Sequence, residues 1–143
     1  MRRLLMASAA LAMAASPAWA QVAGPSQIKS HYSAAYARCL ASPGGQSTMG
    51  QIGCITDEAA VQNGALNAAY GKSQGQLDAG GKASLQAAER AWMAFRDADC
   101  ASQGNQGLGT LQRVLANQCM LNRTIERTLE LDNFPVNMAG PAG

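Results

Sequence analysis

Apolar side chains recur along this chain every three to four residues, and strict alternation is nowhere sustained. That spacing lays a single stripe along a 3.6-residue-per-turn helix. A first helix is predicted to begin near Ser26, after Pro25, with Ile28, Tyr32, Ala35 and Cys39 on one stripe. It should end at Pro43-Gly44-Gly45. A polar, glycine-containing loop, Ser42 to Gly53, then leads to Cys54. Thr56 has the form of an N-cap, with Asp57 and Glu58 in the first turn, where negative charge suits the helix dipole. The second helix carries Leu66, Tyr70 and Leu77 on one face. Gly64, Gly71 and Gly75 weaken it by about 1 kcal/mol each relative to alanine, and serve either close packing or a bend.

Asp78 to Gly81 reads as a tight turn and about Lys82 to Ser102 as a third helix. Gly104 to Gly109 reads as a glycine-rich loop, and Thr110 as the cap of a last helix. That helix should bury Leu111, Val114, Leu115, Leu121, Ile125 and Leu129 and expose Arg113, Arg123, Glu126, Arg127 and Glu130. β-branched residues are few. The expected fold is all-α, a small four-helix bundle stapled by two disulfides.

Polar residues interrupt the apolar stripes in three places. In "AERAWMAFRDADC" (Ala88 to Cys100), Asp99 falls on the face made by Leu85, Ala88, Trp92 and Phe95, which reads as core. A lone buried carboxylate is too costly, and Arg96, one turn earlier, is the nearest partner. Gln118 and Asn122 fall inside the apolar face of the last helix, and Asn67 and Tyr70 offer them partners from the second. The expectation is one polar network, formed by Asn67, Tyr70, Arg96, Asp99, Gln118 and Asn122, that sets helix register.

Charge and the N-terminus narrow the function. Arg2 and Arg3, the apolar run Leu4 to Ala15 and Ala18-Trp19-Ala20 have the layout of a secretory signal peptide over residues 1–20, with cleavage after Ala20. A domain over 21–132 and an irregular tail over 133–143 would follow. The precursor carries 11 Lys+Arg against 9 Asp+Glu, and losing Arg2 and Arg3 leaves a formally neutral chain. Neither nucleic acid nor an anionic membrane surface is expected as a partner, and no later run is long enough to span a bilayer.

Cys39, Cys54, Cys100 and Cys119 make an even set in an exported chain, which points to disulfides. Four cysteines allow three pairings. The sequence-local one, Cys39–Cys54 with Cys100–Cys119, is favoured, at about 3 kcal/mol per bridge in the chain-entropy account. With no Cys-x-x-Cys and a solitary His31, neither metal nor cofactor is expected. Glu89, Asp97 and Asp99 could be cast as acid–base carboxylates, but Asp97 points away from Asp99 on the helix. No Ser–His–Asp or Cys–His set is available either, so no catalytic residue is assigned and no enzyme is expected.

The order of motifs is more telling. A cysteine near the first helix precedes a second cysteine and then "LNAAY" (Leu66 to Tyr70). "AERAWMAFRDADC" follows, then the glycine-rich loop, Cys119 and "RTIERTLEL" (Arg123 to Leu131). This order resembles the LprI-type lysozyme-inhibitor domain family, small exported bacterial proteins, over roughly Cys39 to Leu131. Glu89 stands where the family more often has Gln, and the chain lacks a lipid-anchoring cysteine at its processing site. The resemblance implies a periplasmic or secreted helical protein of a family in which some members inhibit lysozyme, and the reading adopted for this chain is non-covalent occlusion of the enzyme cleft. The alternative is a non-enzymatic envelope adaptor with another partner. Contacts would come from two loops beside the cysteines: Ser42 to Gly53, with Gln46, Ser47 and Gln51, and Gln103 to Gly109, with Gln103, Asn105 and Gln106.

Overall fold

The structure is a computed structural model that describes residues 24–134. The predicted leader over 1–20 and all but the first two residues of the predicted tail lie outside that range. The described residues form five α-helices and no strand: α1 Pro25–Ser30, α2 Ala34–Ala41, α3 Thr48–Gly75, α4 Ala79–Gln103 and α5 Leu111–Asp132. A 3-10 turn, Gly44–Gln46, lies between α2 and α3. The fold is all-α, as the apolar spacing requires. Two disulfides staple it, Cys39–Cys54 and Cys100–Cys119, with Cα–Cα separations of 5.7 and 5.5 Å.

The helix count exceeds the expected four because the first predicted helix breaks at His31–Ser33. Ser33 adopts extended φ/ψ and caps α2, its Oγ accepting from the Tyr36 amide at 3.1 Å. Its own amide donates to Glu58 Oε1 on α3 at 2.9 Å, and its hydroxyl donates to Glu58 Oε2. A carboxylate on another helix therefore fixes the break. Glu58, expected in the first turn of the second helix, is 2% exposed.

The α3 boundary also moves. The predicted loop Ser42 to Gly53 is the 3-10 turn followed directly by helix, and Ser47, not Thr56, is the cap, accepting from the Gly50 amide at 3.0 Å. Thr56 lies within α3, its hydroxyl donating to the Ile52 carbonyl at 2.8 Å. Glycine makes the compact entry possible. A Cβ on Gly45 would sit 2.0 Å from the Cys39 carbonyl oxygen, and one on Gly50 would sit 1.8 Å from that of Gly44. Gly64, Gly71 and Gly75 do not serve close packing: α3 runs through the first two and ends at the third, and an added Cβ at any of them meets nothing within 4 Å.

α3 and α5 lie side by side, from Cys54 and Val114 at one end to Ser73 and Leu131 at the other. Ile55 and Cys54 of α3 pack with Val114, Leu121 and Ile125 of α5, and α1 and α2 add Ile28 and Tyr36. Further along, Ala69 meets Leu131, and Leu85 of α4 joins them. Ser73, 2% exposed, donates to the Leu131 carbonyl at 3.0 Å, so a small polar residue allows close helix approach and satisfies itself.

α4 begins at Asp78, whose carboxylate caps Gly81 at 2.7 Å where the tight turn was expected, and runs antiparallel to α5 on the outside of the bundle. Its buried residues are Leu85 near one end and Cys100 near the other. Trp92 is only half-buried and Phe95 is 56% exposed, so the stripe expected to be core is a margin. No described helix is long and apolar enough to cross a membrane.

Candidate functional site

Gln118 and Asn122 sit one turn apart on α5 and meet α1–α2. Tyr32 Oη donates to Asn122 Oδ1 at 2.6 Å, and Tyr36 Oη donates to Gln118 Oε1 at 2.7 Å. The Gln118 amide closes the ring, donating to Tyr32 Oη at 2.8 Å and Asn122 Oδ1 at 2.9 Å. The partners predicted for these amides are elsewhere. Asn67 is exposed, and Tyr70 Oη accepts from Gln74 at 2.8 Å near the α3–α4 turn. The two tyrosines sit edge to face, ring centroids 5.0 Å apart. Burial first, and then neighbouring negative or acidic groups including Glu58, push both phenols above their ordinary pKa against the opposing Gln118 hydrogen bonds.

Glu58 anchors the other side of this hairpin. Besides Ser33 it accepts from Gln62 Nε2 at 2.8 Å, and Gln62 also donates to the His31 carbonyl at 2.7 Å. Burial alone would raise the Glu58 pKa. The Ser33 hydroxyl, the Gln62 amide and the Ser33 backbone amide together outweigh it and hold Glu58 below the ordinary carboxylate value. Glu58 and Gln62 continue the α3 stripe that starts at Cys54, so their spacing of four was the available signal.

Asp99 is paired, but across the helices. Arg123 on α5 donates to Asp99 Oδ2 through Nε at 3.1 Å and Nη2 at 3.0 Å, and through Nη1 to Glu126 at 2.8 Å. Arg96, the expected partner, turns to Asp97 at 2.8 Å and lies over Trp92, 5.0 Å from the ring centroid. On a helix, side chains three apart are neighbours only if their rotamers converge, and stacking on Trp92 draws the guanidinium away. Arg127 repeats the Arg123 arrangement, bonding Glu89 on α4 and, at 2.6 Å, Glu130 on its own helix. Arg123 and Arg127 also approach Phe95 and Trp92, at 5.8 and 6.0 Å. For Arg123 the Glu126 hydrogen bond leads, burial opposes it and Asp99 adds to it, so the guanidinium is held more firmly charged than usual. The α4–α5 seam is thus a ladder of shared arginines rather than apolar core. Neither Arg123 nor Arg127, 24 and 38 residues from their α4 partners, carries a local sequence signal of this role.

Between the end of α4 and α5 the surface opens into a groove of about 270 Å³. Gln103 forms one wall and Leu115, Gln118, Asn122, Arg123 and Glu126 the rest. Gln103 Nε2 donates to Cys119 Sγ at 3.3 Å, tying the wall to the second disulfide. Asp99, Cys100 and Cys119 bring ligand-type atoms within 4.8 Å of one another. Both sulfurs are bound in the disulfide, which leaves one carboxylate, too few donors for an ion.

Beside the groove is the segment from Gly104 to Thr110, where Asn105 and Gln106 are exposed. Gly107 and Gly109 take φ of +69° and +60°, the left-handed region that suits glycine. Leu108 between them is 47% exposed, and Leu111 and Leu115, expected in the core, are 50% and 36% exposed. Thr110 precedes α5 without a side-chain cap bond. The side chains of the first predicted contact loop make local hydrogen bonds, while Gln46 and Ser47 stay exposed. Gln46 donates to the Leu40 carbonyl at 2.7 Å, Ser47 caps α3 and Gln51 donates to the Gln46 carbonyl at 3.3 Å.

These features define a small helical domain, stapled twice, with its exposed leucines gathered at one end of α5. Residues 39–131, well over half of the chain, match the family model described as Lysozyme inhibitor LprI, and the chain belongs to that family. No curated protein and no solved structure gives a match.

Proposed function

We propose that this chain is an exported bacterial protein that inhibits a lysozyme by non-covalent occlusion of its cleft. The observation that carries the reading is the family match over residues 39–131, in a family described by that inhibition. The contact surface we assign is the segment Gln103 to Thr110, with Gln103, Asn105 and Gln106 as polar contacts and Leu108 at its tip. Its start is fixed by Cys100–Cys119 and by the Gln103–Cys119 hydrogen bond, so little order remains to be imposed on binding. Exposed Leu108 and Leu111 offer apolar area to an enzyme surface.

The test is a titration of the exported, oxidised protein against several lysozyme types in a cell-wall lysis assay. Saturable inhibition by the native chain, lost in Leu108→Asp with an unchanged melting curve, supports the reading. No inhibition of any type at large excess would overturn it and leave an envelope partner of another kind to be sought.

A further inference from the structure

The groove between the end of α4 and α5 shares only Gln103 with the assigned lysozyme contact, and the rest of its lining has a chemistry of its own. Asn122 Oδ1 accepts from both Tyr32 and Gln118, which fixes the orientation of the amide. Its Nδ2 then donates to no protein group among the described residues. No buried side-chain nitrogen or oxygen is left unpaired among the described residues, so this NH2 is not sealed from solvent. Gln103 directs Nε2 to Cys119 and retains a free Oε1, and Glu126 engages Arg123 through Oε2 and retains Oε1. Leu115 supplies an apolar wall. Phe95, 56% exposed, lies against Arg123, one of the lining residues, its ring centroid 5.8 Å from the guanidinium.

Charge narrows the ligand. Arg123 is already shared between Asp99 and Glu126, so the groove has no free cation for a phosphate or carboxylate, and those three groups sum to one negative charge. A strongly anionic ligand is therefore disfavoured. At about 270 Å³ the groove lies just below the range of roughly 300–1,000 Å³ that holds drug-sized molecules, and so suits one ring with its substituents. Open donors and acceptors beside an apolar wall match an acetamido group, which offers a carbonyl, an N–H and a methyl. The exposed aromatic beside Arg123 suits the apolar face of a sugar ring that extends past that arginine.

We propose that this groove is a binding site for a neutral, N-acetylated amino sugar, with Asn122 donating to the acetamido carbonyl, Gln103 or Glu126 accepting from its N–H, and Leu115 meeting its methyl. The site does not depend on the inhibitor reading: it shares Gln103 with the leucine-tipped segment, but its remaining lining, Leu115, Gln118, Cys119, Asn122, Arg123 and Glu126, lies on α5 outside that segment.

The experiment is an NMR titration of the oxidised protein with N,N′,N″-triacetylchitotriose, and with cellotriose as the analogue without acetamido groups. The expected result is saturable shifts at the Asn122 and Gln103 side-chain amides and the Leu115 methyls with chitotriose only. Phe95→Ala, at an exposed position, should weaken binding by about five- to tenfold while helicity is kept. A silent titration at millimolar sugar overturns the proposal, and an equal response to cellotriose overturns the acetamido assignment. Running the lysis assay on the same samples separates the two readings: inhibition without sugar binding removes this one alone, and sugar binding without inhibition removes the other.

Discussion

Asp99 and Arg123 join α4 to α5 through two hydrogen bonds from one guanidinium to a single carboxylate oxygen, 3.1 and 3.0 Å long. The contact sits where α4 contributes little apolar burial, between Leu85 and Cys100. α4 is therefore held by a disulfide at one end, a leucine at the other, and shared arginines between them.

The Asp99 and Arg123 side chains keep 28% and 34% exposure, so water screens their attraction. A double-mutant cycle on Asp99→Ala and Arg123→Ala should return a coupling of about 1 kcal/mol or less. The same cycle with Arg96→Ala should return about zero. A coupling of Asp99 to Arg96 larger than that to Arg123 would contradict the arrangement.

Glu58 carries more weight because it is buried and meets three donors. Glu58→Gln places an amide NH2 among those donors and should destabilise the fold by about 2–3 kcal/mol near neutral pH. The native carboxyl is held below its unfolded pKa, so the ionised form favours folding. That contribution is complete above the ordinary carboxylate range and is lost as pH falls through the depressed folded-state value. Denaturant midpoints of the native and Glu58→Gln proteins should converge in acid. A gap that stays constant from neutral to acid pH would show that the carboxylate charge is not what matters.

Alkali should act through the tyrosine hairpin. Tyr32 and Tyr36 are raised above their unfolded values, so their neutral forms favour folding. This stability is present below the ordinary tyrosine value and disappears as pH rises through the raised folded-state values. Tyrosinate absorbance and helix content, followed together, should change in a common transition above the free-tyrosine value. Ionisation of both rings at the free-tyrosine value with helicity intact would refute the role of the ring of hydrogen bonds.

The α3 glycines divide by what lies beside them. Gly64→Ala and Gly71→Ala add a methyl to open space and should each stabilise by about 0.5–1 kcal/mol. Gly50→Ala forces a Cβ onto the Gly44 carbonyl and should destabilise. Thermal melts decide it: a higher melting temperature for Gly50→Ala than for Gly64→Ala would reverse the account.

Local pattern carried the helical class, the glycine-rich segment before α5 and the family over residues 39–131, while the turn expected at Asp78 to Gly81 falls earlier, with Asp78 as the cap of α4 and Ala79 to Gly81 in its first turn. It also marked Asp99, Gln118 and Asn122 as polar residues among apolar neighbours, because a period of 3.6 shows which face a side chain joins. A one-dimensional pattern does not hold the choice of partner. Tyr32 reaches Asn122 across 90 residues and Ser33 reaches Glu58 across 25, and those contacts exist only once α1–α2 folds back on α3 and α5. The break at His31–Ser33 is absent from local pattern for the same reason, since the group that stabilises it is on another helix.

Burial at the margins was also a tertiary matter. Leu111, Leu115 and Phe95 fall on apolar stripes, but a stripe shows only which residues share a face. α4 covers α5 along the Arg127 and Arg123 ladder and ends at Gln103, where the chain turns away before α5 begins. Periodicity therefore determined the helices and their polar interruptions. The packing of those helices decided which interruptions pair, which apolar residues stay in water, and where the groove opens.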